Sequence, residues 1–173
     1  MHSSSIQVLK EDYDALMAFF IETEQPSFQI SINNAYRKNL VLSAASFFES
    51  EIKKTILNHT RTVSRGDEKL VTFIDSKVLA RQYHSLFDWD AKNCNKFFKC
   101  FGEVVKDAAR SQLIRDDLIQ SEIAFLEMGA ERNRLVHQNF SEIVINSTFD
   151  EIYRKYVSAC PFIEFVKKLL AEE

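Results

Sequence analysis

The chain has 173 residues, 46% hydrophobic and 12% aromatic, enough to close one sizeable core, and a single domain over residues 1–173 is expected. A formal net charge of −3 excludes a protein that coats nucleic acid through a general basic surface, so any RNA contact must be local. With only three Gly and two Pro, few positions force the backbone out of a regular element, and helices should dominate.

Apolar residues at Leu9, Tyr13, Leu16, Met17 and Phe20 recur every three or four positions and predict an amphipathic helix that ends near Pro26. From about Ser31 the stripe resumes through Ala35, Leu40, Leu42, Ala45, Phe47, Phe48, Ile52 and Ile56. It predicts a long helix that stops before His59, with Ser43, Ala44 and Ala45 small enough for close packing. His59 to Lys69 is polar, carries Gly66-Asp67 as a turn signal and reads as a connector. Leu70 to Leu79 predicts a short helix. Another is expected after Asp90, whose carboxylate can cap the backbone donors of Lys92 and Asn93 ahead of Phe97, Phe98 and Phe101, with Gly102 ending it.

Leu113, Leu118, Ile119, Ile123, Phe125, Leu126 and Met128 predict one long amphipathic helix that runs on into Arg132–His137. Thr148-Phe149-Asp150-Glu151 has capping-box spacing, and Ile152, Tyr156, Phe162, Phe165, Val166 and Leu169 continue a final helix that Pro161 should kink or split. Ile143-Val144-Ile145 is the one β-like run. No internal repeat is visible, and the short connections suggest an all-α, up-and-down bundle of five or six helices.

Cys94, Cys100 and Cys160 are odd in number and show no Cys-x-x-Cys spacing, which argues against a disulfide framework and a zinc site and fits a reducing cytoplasm. No apolar run approaches the roughly 18 residues that span a bilayer. Met1-His2-Ser3-Ser4-Ser5 leads into no signal-peptide core, so a soluble, unexported protein with no membrane contact is expected.

The candidate chemistry lies in Arg132-Asn133-Arg134-Leu135-Val136-His137. Asn133 and His137 are four residues apart and share a helix face if the helix reaches His137, while Arg132 is long enough to swing beside them. A planar guanidinium bridges two phosphate oxygens, and an imidazole moves protons in either direction near neutral pH. Phosphodiester cleavage by an internal hydroxyl requires such proton transfer, and RNA supplies that hydroxyl. The competing reading is that an Arg and a His near a helix end only cap carbonyls and complement the helix dipole.

RNRLVH resembles the Arg-x(4–6)-His motif of the HEPN superfamily, LSAASFFESEI resembles an aromatic-Glu segment of prokaryotic HEPN families, and FDWDAKNCNKFFKCFG resembles families of the RiboL-PSP-HEPN and MAE_28990 type. Together they cover residues 35 to 140 of the chain. The resemblance implies a helical bundle, a homodimer with both motifs in one cleft, and metal-independent endoribonuclease activity in toxin or antiviral systems, without a cofactor. Arg132, Asn133 and His137 would then be catalytic, and an antitoxin or defence-system protein is an expected partner. A non-catalytic module that binds nucleotide or RNA, or only mediates assembly, is the alternative.

Glu49, in FFES, matches a family position from which a carboxylate can orient Arg132 or His137, or it is a solvated helix carboxylate. Arg134 is a candidate RNA contact or a surface arginine. His59 and His84 have no carboxylate or Cys at ligand spacing and read as isolated surface or core histidines. HEPN toxins paired with nucleotidyltransferase antitoxins carry a Tyr two residues after the His; this chain has Asn139 there, so control by modification of that tyrosine is not expected.

Overall fold

The computed structural model describes residues 5–80 and 82–171. In chain order the α-helices are α1 (Ser5–Glu22), α2 (Pro26–Val63), α3 (Glu68–Ile74), α4 (Asn95–Lys99), α5 (Glu103–Arg115), α6 (Ile119–His137) and α7 (Phe149–Ala171). Five of these are long. A π-helical turn over Asp75–Leu79 continues α3, and a 3-10 turn over Tyr83–Leu86 precedes α4. No strand is present among the described residues.

Four helices alternate in direction. Phe20 stacks on Phe28 and Tyr13 meets Tyr36, so α1 and α2 run antiparallel. Phe125 meets Phe162 while Glu127 pairs with Lys155, which sets α6 antiparallel to α7. Tyr156 packs on Phe47 and Phe48 near the middle of α2, and the Leu170 carbonyl reaches His59 near its end, so α2 and α7 run parallel. The resulting up-and-down bundle closes on Phe48, Phe97, Phe98, Phe125, Phe149 and Phe162, all fully buried.

Several boundaries differ from expectation, and each difference has a local cause. Pro26 opens α2 rather than only closing α1, because a first-turn residue needs no amide donor. α2 also runs through His59 to Val63. Its last turns remain helical because Thr60 donates to the Ile56 carbonyl within α2 at 2.9 Å and His59 Nδ1 lies 2.7 Å from the Leu170 carbonyl of α7, so both polar side chains are satisfied. The connector is therefore only residues 64–67. Asp67 then caps α3 by accepting from the Lys69 and Leu70 amides.

The long helix expected across Leu113–His137 is two helices. Asp117 adopts φ +56°, the Leu118 amide returns to the Leu113 carbonyl at 2.9 Å and the Asp117 amide to Ile114 at 3.3 Å, a left-handed C-terminal closure of α5. Glu24 and Arg65 close α1 and α2 in the same way, at φ +55° and +53°. Nor does Asp90 cap α4: the Asn95 amide goes to Asn93 Oδ1 and the Cys94 amide to Glu122. The capping box does form, with Thr148 N donating to Glu151 at 2.7 Å and Glu151 N to Thr148 Oγ1 at 3.2 Å. Pro161 does not split α7, since it sits on the exposed side while Ala159, Phe162, Ile163 and Val166 hold both halves in the core. In the β-like run Ile143 and Ile145 are buried and Val144 exposed, an alternation adopted by an extended linker without strand pairing.

Candidate active site

α6 keeps its helical form to His137, and the Gln138 amide closes the last turn on the Arg134 carbonyl at 3.2 Å. Asn133 and His137 therefore stand one turn apart on one face. Arg132 Nη1 donates to Asn133 Oδ1 at 3.2 Å, which draws the guanidinium toward the same side. Leu135 is fully buried and anchors the turn, whereas His137 is exposed.

Glu49 faces the His84 turn from α2. Its neighbour Phe48 is buried against Phe125 and Tyr156, which fixes the rotation of α2 and leaves Glu49 at the edge of the core. The carboxylate holds Lys53 at 2.5 Å through Oε1 and lies 3.8 Å from His84 Nε2 through Oε2. Among the described residues it makes no ion pair with Arg132 or His137.

His84 is the residue that sequence reasoning missed. Burial, Arg132, Lys53 and His137 hold its pKa below the ordinary histidine value, against an opposing pull from Glu49. Groups from α2 and α6 thus act on one imidazole of the 3-10 turn, which is not an isolated histidine. Its Nδ1 is buried and has no hydrogen-bond partner among the described residues. The adjacent Tyr83 is itself buried, and burial followed by the charge of Glu49 pushes its hydroxyl pKa well up.

A single tryptophan holds this turn in place. Trp89 Nε1 donates to the His84 carbonyl at 2.9 Å, and the indole lies on Gly129 of α6, one turn before Asn133. A Cβ at position 129 would sit 2.0 Å from Trp89 Cζ3, so the approach requires glycine. Lower on α6, Glu122 is fully buried, accepts the Cys94 amide and Arg110 Nη1 at 2.6 Å each, and thereby ties the segment before α4 and α5 to the motif helix. The helical glycine and the lone Trp were the available signals, although nothing in their spacing paired them.

Arg134 is committed to structure. It pairs with Glu131 at 2.5 Å and donates to the Val144 carbonyl at 3.1 Å, tying α6 to the linker before α7. On either side of it lie grooves of about 600 Å³ each, one bordered by Asn133, Trp89 and Lys96, the other by Glu127, Asn146 and Lys155. The same linker is strapped to α2, where Lys38 donates to the Phe140 carbonyl at 2.6 Å and Arg37 to Ile145 and Ser147 at 2.7 and 3.2 Å. Asn139 serves a turn, accepting the Ser141 hydroxyl at 2.7 Å. His59 lies at the far end of α2, bonded to α7 and edge-on to Phe101.

The arrangement sets Glu49 and Lys53 of α2 and Arg132 and His137 of α6 about the imidazole of His84, a set able to hold an anion and move protons beside it. Among the described residues no group of three or more His, Cys, Asp or Glu comes together as a metal site, and no helix is long and apolar enough to cross a membrane. No curated protein and no solved structure matches the chain. The RiboL-PSP-HEPN family model matches residues 8–172, nearly the full length and including all of α2, the Trp89 turn and α6, so the chain belongs to the RiboL-PSP-HEPN family within the HEPN superfamily.

Proposed function

We propose that this HEPN domain is a metal-independent endoribonuclease that cleaves RNA by attack of the ribose 2′-hydroxyl, leaving a cyclic phosphate and a 5′-hydroxyl. The observation that carries the reading is the position of Arg132, Asn133 and His137 on the last two turns of a helix that persists to His137, with His84, which Glu49 faces, near enough to feel the charges of Arg132 and His137. Arg132 stabilises the charge that builds on the phosphorane, with Asn133 setting the direction of its guanidinium. His137 transfers a proton. Arg134, already paired with Glu131, contributes to the RNA contact only through its remaining donors.

The chain acts as a homodimer in which both motifs enter one cleft, so a second proton-transfer group is available from the partner. Its setting is a toxin or antiviral system, restrained by an antitoxin or defence-system protein. Incubation of the purified protein with RNA in EDTA tests the activity. Cleavage should fall by about 10²–10³-fold in Arg132→Ala and by about 10²–10⁴-fold in His137→Ala. Expression should arrest bacterial growth, with relief in His137→Ala. RNA that is bound but left intact by the wild-type protein would establish the non-catalytic module instead.

A further inference from the structure

We propose that His84 is a second catalytic residue of this reaction: its Nε2 takes the proton of the 2′-hydroxyl while His137 of the same chain protonates the leaving 5′-oxygen. This rests on the ribonuclease reading and changes the source of the second proton-transfer group, from the partner chain to the 3-10 turn Tyr83–Leu86.

Cleavage through an internal hydroxyl needs a base and an acid at one phosphate. The O2′–H proton passes to His84, the 2′-oxygen forms its bond to phosphorus, the P–O5′ bond breaks, and the departing oxygen takes the proton of His137. The imidazolium left at His84 and the neutral imidazole left at His137 then exchange protons with water. Three observations fit His84 to the first step. Its Nδ1 is sealed in the fold without a partner, so Nε2 is the nitrogen able to exchange a proton. That atom faces Glu49 Oε2 at 3.8 Å, so the proton it gains meets a counter-charge. The turn is pinned to the motif helix by the Trp89 bond to the His84 carbonyl and by the indole against Gly129, which fixes the imidazole relative to Arg132 and His137.

The charged groups around the ring come from both packed elements: Glu49 and Lys53 from α2, Arg132 and His137 from α6, with Tyr83 adjacent. Burial, Arg132, Lys53 and His137 outweigh Glu49 and favour the neutral imidazole, the form a base needs. Glu49 acts here as a positioning residue, working through His84 and Lys53.

The test is single-turnover cleavage of RNA in EDTA as a function of pH. His84→Ala should lose about 10²–10⁴-fold in rate, lose the rising limb of the pH profile, and regain part of the rate in added imidazole. His84→Gln, which keeps the backbone carbonyl used by Trp89, should be equally slow with an unchanged helical signal. A wild-type rate and profile in His84→Ala, beside an inactive His137→Ala, would assign the second group to the partner's His137 and overturn the proposal. So would recovery of activity on mixing His84→Ala with His137→Ala chains, since a pair held within one chain stays broken in every heterodimer. If both His84 variants lose their helical signal, NMR titration of the wild-type imidazole decides. A value below that of ordinary histidine, lowered further in Glu49→Gln, supports the role, and an ordinary value overturns it. Failure of the wild-type protein to cut any RNA would instead overturn the ribonuclease reading, and the role of His84 with it.

Discussion

The two halves of α6 are built for opposite purposes. From Ile119 to Gly129 the helix is wedged among α2, α7 and the Trp89 turn, and its one buried carboxylate, Glu122, has both an amide and a guanidinium to satisfy it. From Arg132 to His137 the side chains are polar and half-buried or exposed, Leu135 and Val136 apart, and among the described residues Arg132 hydrogen-bonds to the neighbouring Asn133 amide. Buried polar groups that are fully paired fix a structure; polar groups at a cleft with few partners remain available to a ligand. One helix thus carries a rigid mount and an open, polar end.

The comparison breaks first at Glu122. Glu122→Ala leaves the Arg110 charge and the Cys94 amide without their partner and should cost about 3–5 kcal/mol in urea unfolding. A loss below about 1 kcal/mol would mean that the mount is held by apolar packing alone. Gly129→Ala comes next. Alanine gains up to about 1 kcal/mol over glycine in a helix, but overpacking costs about 1–3 kcal/mol, and a Cβ 2.0 Å from the indole has nowhere to go. A net loss in thermal stability is expected, together with slower RNA cleavage because the His84 turn is displaced. A gain in stability would show that the indole moves aside freely.

A smaller effect depends on pH. Burial first, then Arg132, holds His84 below its ordinary value of 6.5 in the folded chain, so between the two values the unfolded chain binds more protons. Stability should therefore rise with pH through that window and fall as pH drops below 6.5. Urea midpoints measured on either side of the window should differ less in His84→Gln than in the wild type, and equal pH dependence would remove His84 from the buried cluster. The smallest effect sharpens the contrast: Arg132→Ala and His137→Ala should each stay within about 0.5 kcal/mol of wild-type stability while activity collapses.

Much of the fold could be read from the sequence, because the stripes of α1, α2 and α7 and the Thr148–Glu151 capping box are local patterns. The helix ends were less legible for a specific reason. Asp117 takes the left-handed closing position that glycine usually marks, so nothing at that point signalled the end of α5. The motif segment stood out, since Arg132, Asn133 and His137 lie within six residues of one helix. His84 did not, because it reaches the site through a fold-back that depends on Trp89 meeting Gly129, 40 residues apart in the chain. Glu49 was singled out by its segment, but its partners, Lys53 and His84, became visible only in three dimensions.

Trp89 also makes the molecule its own optical probe. It is the sole tryptophan in the chain, its N–H rests on the carbonyl of His84, and its ring borders the groove beside Asn133. All indole emission therefore originates at the joint between the His84 turn and the motif helix. Unlabelled protein can report, by a change in colour or intensity, when something enters that groove or when the joint loosens, before any bond in a substrate is broken.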